Sequence, residues 1–227
     1  MYNRILRHMV LIQVIFFMFL PISPSARAAP DSVREIVDDL QKKYETTSDI
    51  TAHFFQDTFT AGASEPFRAE GMVYFKRPHL MRWEYNHPEQ QLIVTSGEDV
   101  YVYEKDAEQV MILPRQQFLT TEISRAFFFG QGNLKGFFIV EKAEKKGRGK
   151  VVVNMRPREP VPQVRTIRLT VSTRTHLVQE MWLEDQLGGR THIIFNDIKV
   201  NTGLSDKLFD FVIPKGIEIY RSDRTAD

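Results

Sequence analysis

The chain has 227 residues, 42% of them hydrophobic and 26% charged, with no cysteine. That is globular composition with room for one domain of about 150–200 residues. Zero Cys excludes disulfide scaffolds, thiolate metal sites, Cys nucleophiles and Cys-borne lipid anchors. A formal net charge of +1 leaves no basic excess for nucleic acid.

Residues 1–28 read as a cleaved secretory signal. Arg4 and Arg7 precede an apolar run over 9–20, Pro21 and Pro24 end it, and Ala26-Arg27-Ala28 places small residues at cleavage-site spacing. The run is shorter than the roughly 20 residues a spanning helix needs. Cleavage removes three arginines and no acid, leaving 27 basic against 29 acidic residues, a net charge of −2. The remainder, residues 29–227, is expected to work outside the cytoplasm as a single domain.

A helix opens that domain. Ser32 to Glu35 has capping-box spacing, and Val33, Ile36, Val37, Leu40 and Tyr44 recur at helical period. From Ile50 the period becomes two. Strands are predicted over 54–59, 67–75, 80–85, 91–96, 100–103 and 109–113, separated by turn residues such as Gly62, Pro66, Pro78, Pro88 and Gly97. Their hairpin spacing predicts an antiparallel meander. Residues 118–130 break the pattern: Thr120 or Thr121 caps a short helix carrying Ile123, Ala126, Phe127 and Phe128, stopped at Gly130. Strands resume over 137–142, 150–156, 164–171, 177–184 and 190–200. One helical turn over 205–208 precedes a last strand ending at Phe211. Ten or eleven strands with two or three helices predict a strongly curved or barrel-like sheet whose helices bury their apolar faces against it.

Catalytic motifs are missing from the sequence. There is no Gly-x-Ser-x-Gly elbow, no phosphate-cradling glycine loop and no His-Glu-x-x-His pair. His79 and His87 flank a strand beside prolines and read as turn and surface residues rather than metal ligands. Asp38 and Asp39 precede Lys42 and Lys43 by one turn, a solvated helix face rather than a carboxylate pair. No enzyme, cofactor or metal is expected, although a hydrolase with a dispersed site would leave no motif. The surplus is aromatic. Of 17 Phe, 14 remain beyond residue 28, and Phe127-Phe128-Phe129 cannot all hide on one helix face. Such a helix is either buried all round or covers an apolar cavity.

The stretch Gly71-Met72-Val73-Tyr74-Phe75-Lys76-Arg77-Pro78-His79-Leu80-Met81-Arg82-Trp83-Glu84-Tyr85 resembles the signature strand pair of the periplasmic outer-membrane lipoprotein carrier family, LolA. The similarity continues through Gln91 to Gly97, Val100 to Tyr103 and Glu108 to Val110, with Phe54-Phe55-Gln56 upstream and Phe209-Asp210-Phe211 before Pro214 and Gly216 downstream. It departs where the family often carries an aromatic, here Met81, and in the turn Val94-Thr95-Ser96-Gly97, which lacks the family's Asp.

The resemblance implies a mainly β fold: a half-open antiparallel β-barrel of about 11 strands under a lid of short helices. It implies a periplasmic chaperone that takes triacylated lipoproteins from an inner-membrane ABC transporter to an outer-membrane acceptor, as a monomer. The family arginine matching Arg77 ties lid carbonyls; here it is expected to hold residues 118–130. Met81, Trp83, Tyr85, Ile93, Tyr101, Tyr103, Ile123 and Phe127 are expected to line the acyl-chain cavity. A carrier or sensor module for another lipid or glycolipid, built on the same fold, is the alternative. The pathway's lipid-anchored acceptor shares the fold, but zero Cys argues against it.

Overall fold

Helix α1 (Asp31–Glu45) forms because apolar residues recur every three or four positions and bury on one side. Ile36, Val37 and Leu40 are buried, and Tyr44 packs beside them. The computed structural model describes residues 31–115, 133–147, 149–161 and 164–222. Lys42 and Lys43 occupy the last turn, where positive charge meets unpaired carbonyls. The hydroxyls of Thr46 and Thr47 then donate to the Lys42 and Lys43 carbonyls at 2.9 and 2.7 Å, closing the helix. Ser32 lies within α1, whose first described residue is Asp31.

Six strands follow: β1 (Asp49–Phe59), β2 (Phe67–Lys76), β3 (Leu80–His87), β4 (Gln91–Ser96), β5 (Asp99–Glu104) and β6 (Gln109–Pro114). After the short helix α2 (Leu134–Phe137) come β7 (Phe138–Lys145), β8 (Lys150–Pro157), β9 (Thr166–Ser172), β10 (Val178–Glu184) and β11 (Arg190–Val200). A 3-10 turn (Asp206–Phe209), capped by the Ser205 hydroxyl, leads to β12 (Glu218–Arg221).

All twelve strands join one sheet in the order β12-β6-β5-β4-β3-β2-β1-β11-β10-β9-β8-β7. Each half is a hairpin meander, as the short turns require. The halves meet where β1 pairs with β11, and β12 lies parallel to β6. Among the described strands, β7 and β12 are edges, so the sheet is open.

The expected mainly β, antiparallel architecture is present, with one more strand than the eleven expected. The last strand also lies later in the chain than expected. No strand ends at Phe211; its ring instead packs against Tyr101 and Tyr103, with centroids 5.3 and 5.7 Å away. Pro214 and the left-handed Gly216 intervene before pairing resumes in β12. The predicted helix over 118–130 lies outside the described residues, and so do Ile123 and Phe127.

The two faces of the sheet have different covers. Buried residues of β1–β3 and β8–β11, including Phe54, Val73, Met155 and Leu169, form the core beneath α1. The opposite face of β2–β6 is sealed by the segment 204–211. There Phe209 is buried, Arg82 donates to the Leu208 carbonyl at 3.1 Å, and Lys76 pairs with Asp206 at 2.6 Å. The Asp49 carboxylate fixes the start of that segment. It accepts from the Thr202 amide and hydroxyl at 2.7 and 2.8 Å and from the Gly203 amide at 2.9 Å.

Candidate functional site

Strand register decides which side chains share a face, because residues directly opposite one another project the same way. Ala52, Val73, Trp83, Ile93 and Val102 are successive partners across β1–β5. Met81 and Tyr85, two residues either side of Trp83, share its face. Of the candidate cavity residues, Met81, Trp83, Tyr85 and Ile93 are therefore brought together on the core face.

Tyr101 and Tyr103 are not. They stand opposite Val94 and Leu92, whose side chains project to the other face, and their rings lie against Phe211 beneath the C-terminal segment. The two-residue turn at Gly97-Glu98 sets this register. It gives Val102, rather than either tyrosine, the place beside Ile93.

The core-face aromatics form one cluster. Trp83 meets Phe54 edge-on at 4.7 Å and Phe75 at 5.9 Å, and stacks on Tyr85 at 6.3 Å. These spacings suit rings that pair by edge-to-face and offset contacts. Gly71 makes room for them. A Cβ there would stand 1.8 Å from the Glu84 carbonyl oxygen and 3.0 Å from the Phe54 ring. The Tyr85 hydroxyl donates to Gln56 Oε1 at 3.3 Å, and burial pushes its pKa up to about 12. Burial likewise raises Tyr44 to about 12, although the Val178 amide donates to its oxygen at 3.3 Å. Both phenols are neutral at any physiological pH and act as apolar walls with one polar tip.

Between α1 and the sheet lies an apolar cavity of about 30 Å³, bounded by Tyr44, Ile50, Ala52, Phe75, Met181 and Phe195. It has room for about one water. Anything larger must displace α1 or the side chains beneath it. The chain pattern of β9–β11 gave alternating strands, but not that Met181 and Phe195 face Phe54 and Tyr44. That follows only from the β1–β11 pairing.

Arg77 follows β2 and secures the turn between α1 and β1. Its amide donates to the Ser48 carbonyl at 3.0 Å, and its guanidinium donates to the Glu45 carbonyl at the end of α1. Further polar contacts hold the helix. The Leu134 amide donates to Gln41 Oε1 at 2.9 Å, Lys135 pairs with Asp38, and His176 lies 3.6 Å from Asp39. These contacts are half-exposed, so water competes for each one.

Nothing in the described residues gathers catalytic or metal-binding groups. They contain no cluster of three His, Cys, Asp or Glu side chains able to hold a metal. His79 and His87 are separated by the length of β3. No described helix is long and apolar enough to cross a membrane.

The family model for the outer membrane lipoprotein carrier protein LolA matches residues 45–212. An outer-membrane lipoprotein carrier protein of Pseudomonas aeruginosa is 31% identical over 212 residues, covering 93% of this chain and 99% of its own. One from Azotobacter vinelandii is 31% identical over 170 residues, covering 75% and 80%. Among solved structures, an uncharacterized conserved protein from Thermus thermophilus shares the fold at 16% identity and a TM-score of 0.54, covering 84% of this chain and 99% of that one. The chain belongs to the LolA family of outer membrane lipoprotein carrier proteins.

Proposed function

We propose that this protein carries triacylated lipoproteins across the periplasm, from an inner-membrane ABC transporter to an outer-membrane acceptor, with the acyl chains held between α1 and the core face of the sheet. Membership of the family gives it a lipoprotein-carrying, non-enzymatic role in the periplasm. One observation carries the finer reading. Among the described residues, an apolar sheet face is covered by the amphipathic helix α1 with α2 beside it, and several of the polar ties of α1 are half-exposed.

The physics favours that arrangement. An acyl chain leaving a bilayer loses about 0.8 kcal/mol of transfer free energy per methylene exposed to water. A shuttle replaces the bilayer with apolar wall. Here the wall is already occupied by Ile36, Val37 and Leu40 of α1, so cargo enters by exchanging with the helix rather than by filling a void. The exchange keeps net affinity moderate, which lets cargo leave.

In this reading Arg77 is the tether. It holds the carbonyl end of α1, with five donors and a permanent charge suited to backbone oxygens. Met81, Trp83, Tyr85 and Ile93 belong to the wall; Val102 replaces Tyr101 and Tyr103 in it. The expected tie from Arg77 to residues 118–130, and the roles of Ile123 and Phe127, concern residues outside the described set and rest on the family resemblance.

The test uses spheroplasts making a labelled triacylated lipoprotein. Added protein should release the lipoprotein into the medium and co-elute with it one to one. Competent spheroplasts that release nothing to the folded protein would refute the lipoprotein reading and favour another lipid as ligand.

A further inference from the structure

We infer that the acyl-binding wall continues past the core as an apolar track across β4, β5, β6 and β12, ending at Met111 and Tyr220, and that one cargo chain lies along it. The inference rests on the carrier reading above and names the path for that same cargo.

The track is one row of directly opposed residues: Val73, Trp83, Ile93, Val102, Met111 and Tyr220, on six neighbouring strands. No polar residue interrupts it. Exposure rises along it, from 1% at Val73 and 8% at Trp83, through half-buried Ile93 and Val102, to 47% at Met111 and 51% at Tyr220. Strands lie about 4.8 Å apart, so Trp83 to Tyr220 spans about 19 Å. One acyl chain reaches about half of a roughly 30 Å hydrocarbon layer, or about 15 Å. The row is long enough to carry a chain from the core to water.

Its border is chemically distinct. The next row reads Gln91, Glu104, Gln109 and Glu218, again by direct opposition. It is hydrogen-bonded along its length: Gln91 donates to Glu104 at 3.2 Å and Gln109 donates to the same carboxylate. The Tyr220 hydroxyl turns to this border and donates to Glu218 at 2.7 Å, leaving its ring on the track. The exposed apolar surface is not a by-product of a thin sheet. On the other face of β4 and β6, Val94, Val110 and Ile112 are fully buried, while the edge strand β12 is exposed on both faces. Continuity with the core wall and the lack of room beneath α1 both point to an acyl chain as occupant.

The test measures binding of saturated fatty acids, from decanoic to stearic, by displacement of a polarity-sensitive dye from the purified full chain. In the parent protein affinity should rise with chain length, by up to about fourfold for each methylene that reaches apolar wall. Met111→Glu and Tyr220→Glu should each leave decanoate binding unchanged and flatten the rise at the long end of the series. Leu187→Glu, at an 86% exposed turn position away from the track, should follow the parent throughout. Circular dichroism confirms folding, and Met111→Gln serves if a glutamate variant fails to fold. Variants that follow the parent at every length overturn the track while leaving the carrier reading intact. A parent that binds no acid of any length overturns the carrier reading and the track with it.

Discussion

Replacing Arg77 by Leu should loosen α1 without unfolding the sheet. The Arg77 amide keeps its bond to Ser48, so among the described residues the substitution removes one charged donor, from the Glu45 carbonyl. Hydrogen bonds to charged groups contribute about 1.5–3 kcal/mol, and a cation near an exposed helix C-terminus about 0.3–1 kcal/mol. Arg77 is half-exposed, so water recovers part of this, and the net loss should be about 1–2 kcal/mol. That corresponds to a rise of roughly 5–30-fold in the population with α1 undocked. Ile36, Val37 and Leu40 each still bury about 2 kcal/mol of apolar side chain, so the helix remains docked most of the time. Amide hydrogen exchange reads this directly. Protection in α1 should fall by that factor while protection in β1 and β11 stays at the parent level. Arg77→Lys should give a smaller change, since an ammonium keeps the charge but loses the planar fork. Unchanged α1 protection in a folded Arg77→Leu protein would refute the tether. An equal fall in the helix and in β1–β11 would assign Arg77 to global stability instead.

Trp83→Ala should cost about 3–5 kcal/mol in denaturant unfolding, because it opens a cavity amid Phe54, Phe75 and Tyr85; a loss below 1 kcal/mol would remove Trp83 from the packed wall. Gly71→Ala should destabilise the fold by about 1–3 kcal/mol or more through its clash with the Glu84 carbonyl, and so lower the thermal midpoint; an unchanged midpoint would show that β2 and β3 can separate there at no cost. Burial raises the Asp49 pKa, but hydrogen bonds from Thr202, Gly203 and Leu204 outweigh it and hold the carboxyl below its ordinary value. A depressed folded-state pKa gives stability that is present above the ordinary Asp value of about 3.9 and lost as pH falls through the folded value. Asp49→Asn should therefore cost about 1–3 kcal/mol at neutral pH, and the difference from parent should shrink in acid; a difference independent of pH would refute the assignment.

Local alternation was enough to find most strands and to place Met81, Trp83 and Tyr85 on one face. It was not enough for Tyr101 and Tyr103. Val100, Val102, Tyr101 and Tyr103 make both faces of β5 apolar, and only the register through Gly97-Glu98 tells them apart. The sheet needs both faces apolar here because the C-terminal segment covers the second. That segment was legible only in part: the turn over 205–208 was expected, but Leu208, Phe209, Phe211, Val212 and Ile213 make a nearly continuous apolar run with no alternation to show that Phe211 packs on β5 instead of ending a strand. The edge strand β12 is exposed along its whole length and so carries no alternation of burial. The acceptor of Arg77 could not be read either. Glu45 is 32 residues away, and the contact exists because β1 pairs with β2 so that Asp49 meets Lys76 beside the helix end.

Under the proposed carrier reading, the same geometry limits how tightly cargo can be held. Seating acyl chains on Phe75, Phe195 and Met181 requires removing α1, and with it about 6 kcal/mol of buried Ile36, Val37 and Leu40. At about 0.8 kcal/mol per methylene, roughly eight methylenes of contact only offset that loss. A chain longer than this gains affinity from the methylenes that remain, and these are the ones that would lie on Val102, Met111 and Tyr220. On the proposed reading, affinity would follow chain length on the track and the strength of the α1 ties, with Arg77 as the adjustable part. A partner that pulled the exposed end of the chain off Met111 and Tyr220 would leave α1 competing on nearly equal terms for the inner wall. On that reading release would need only small free-energy differences, and the helix that yields on loading would drive the chain out on unloading.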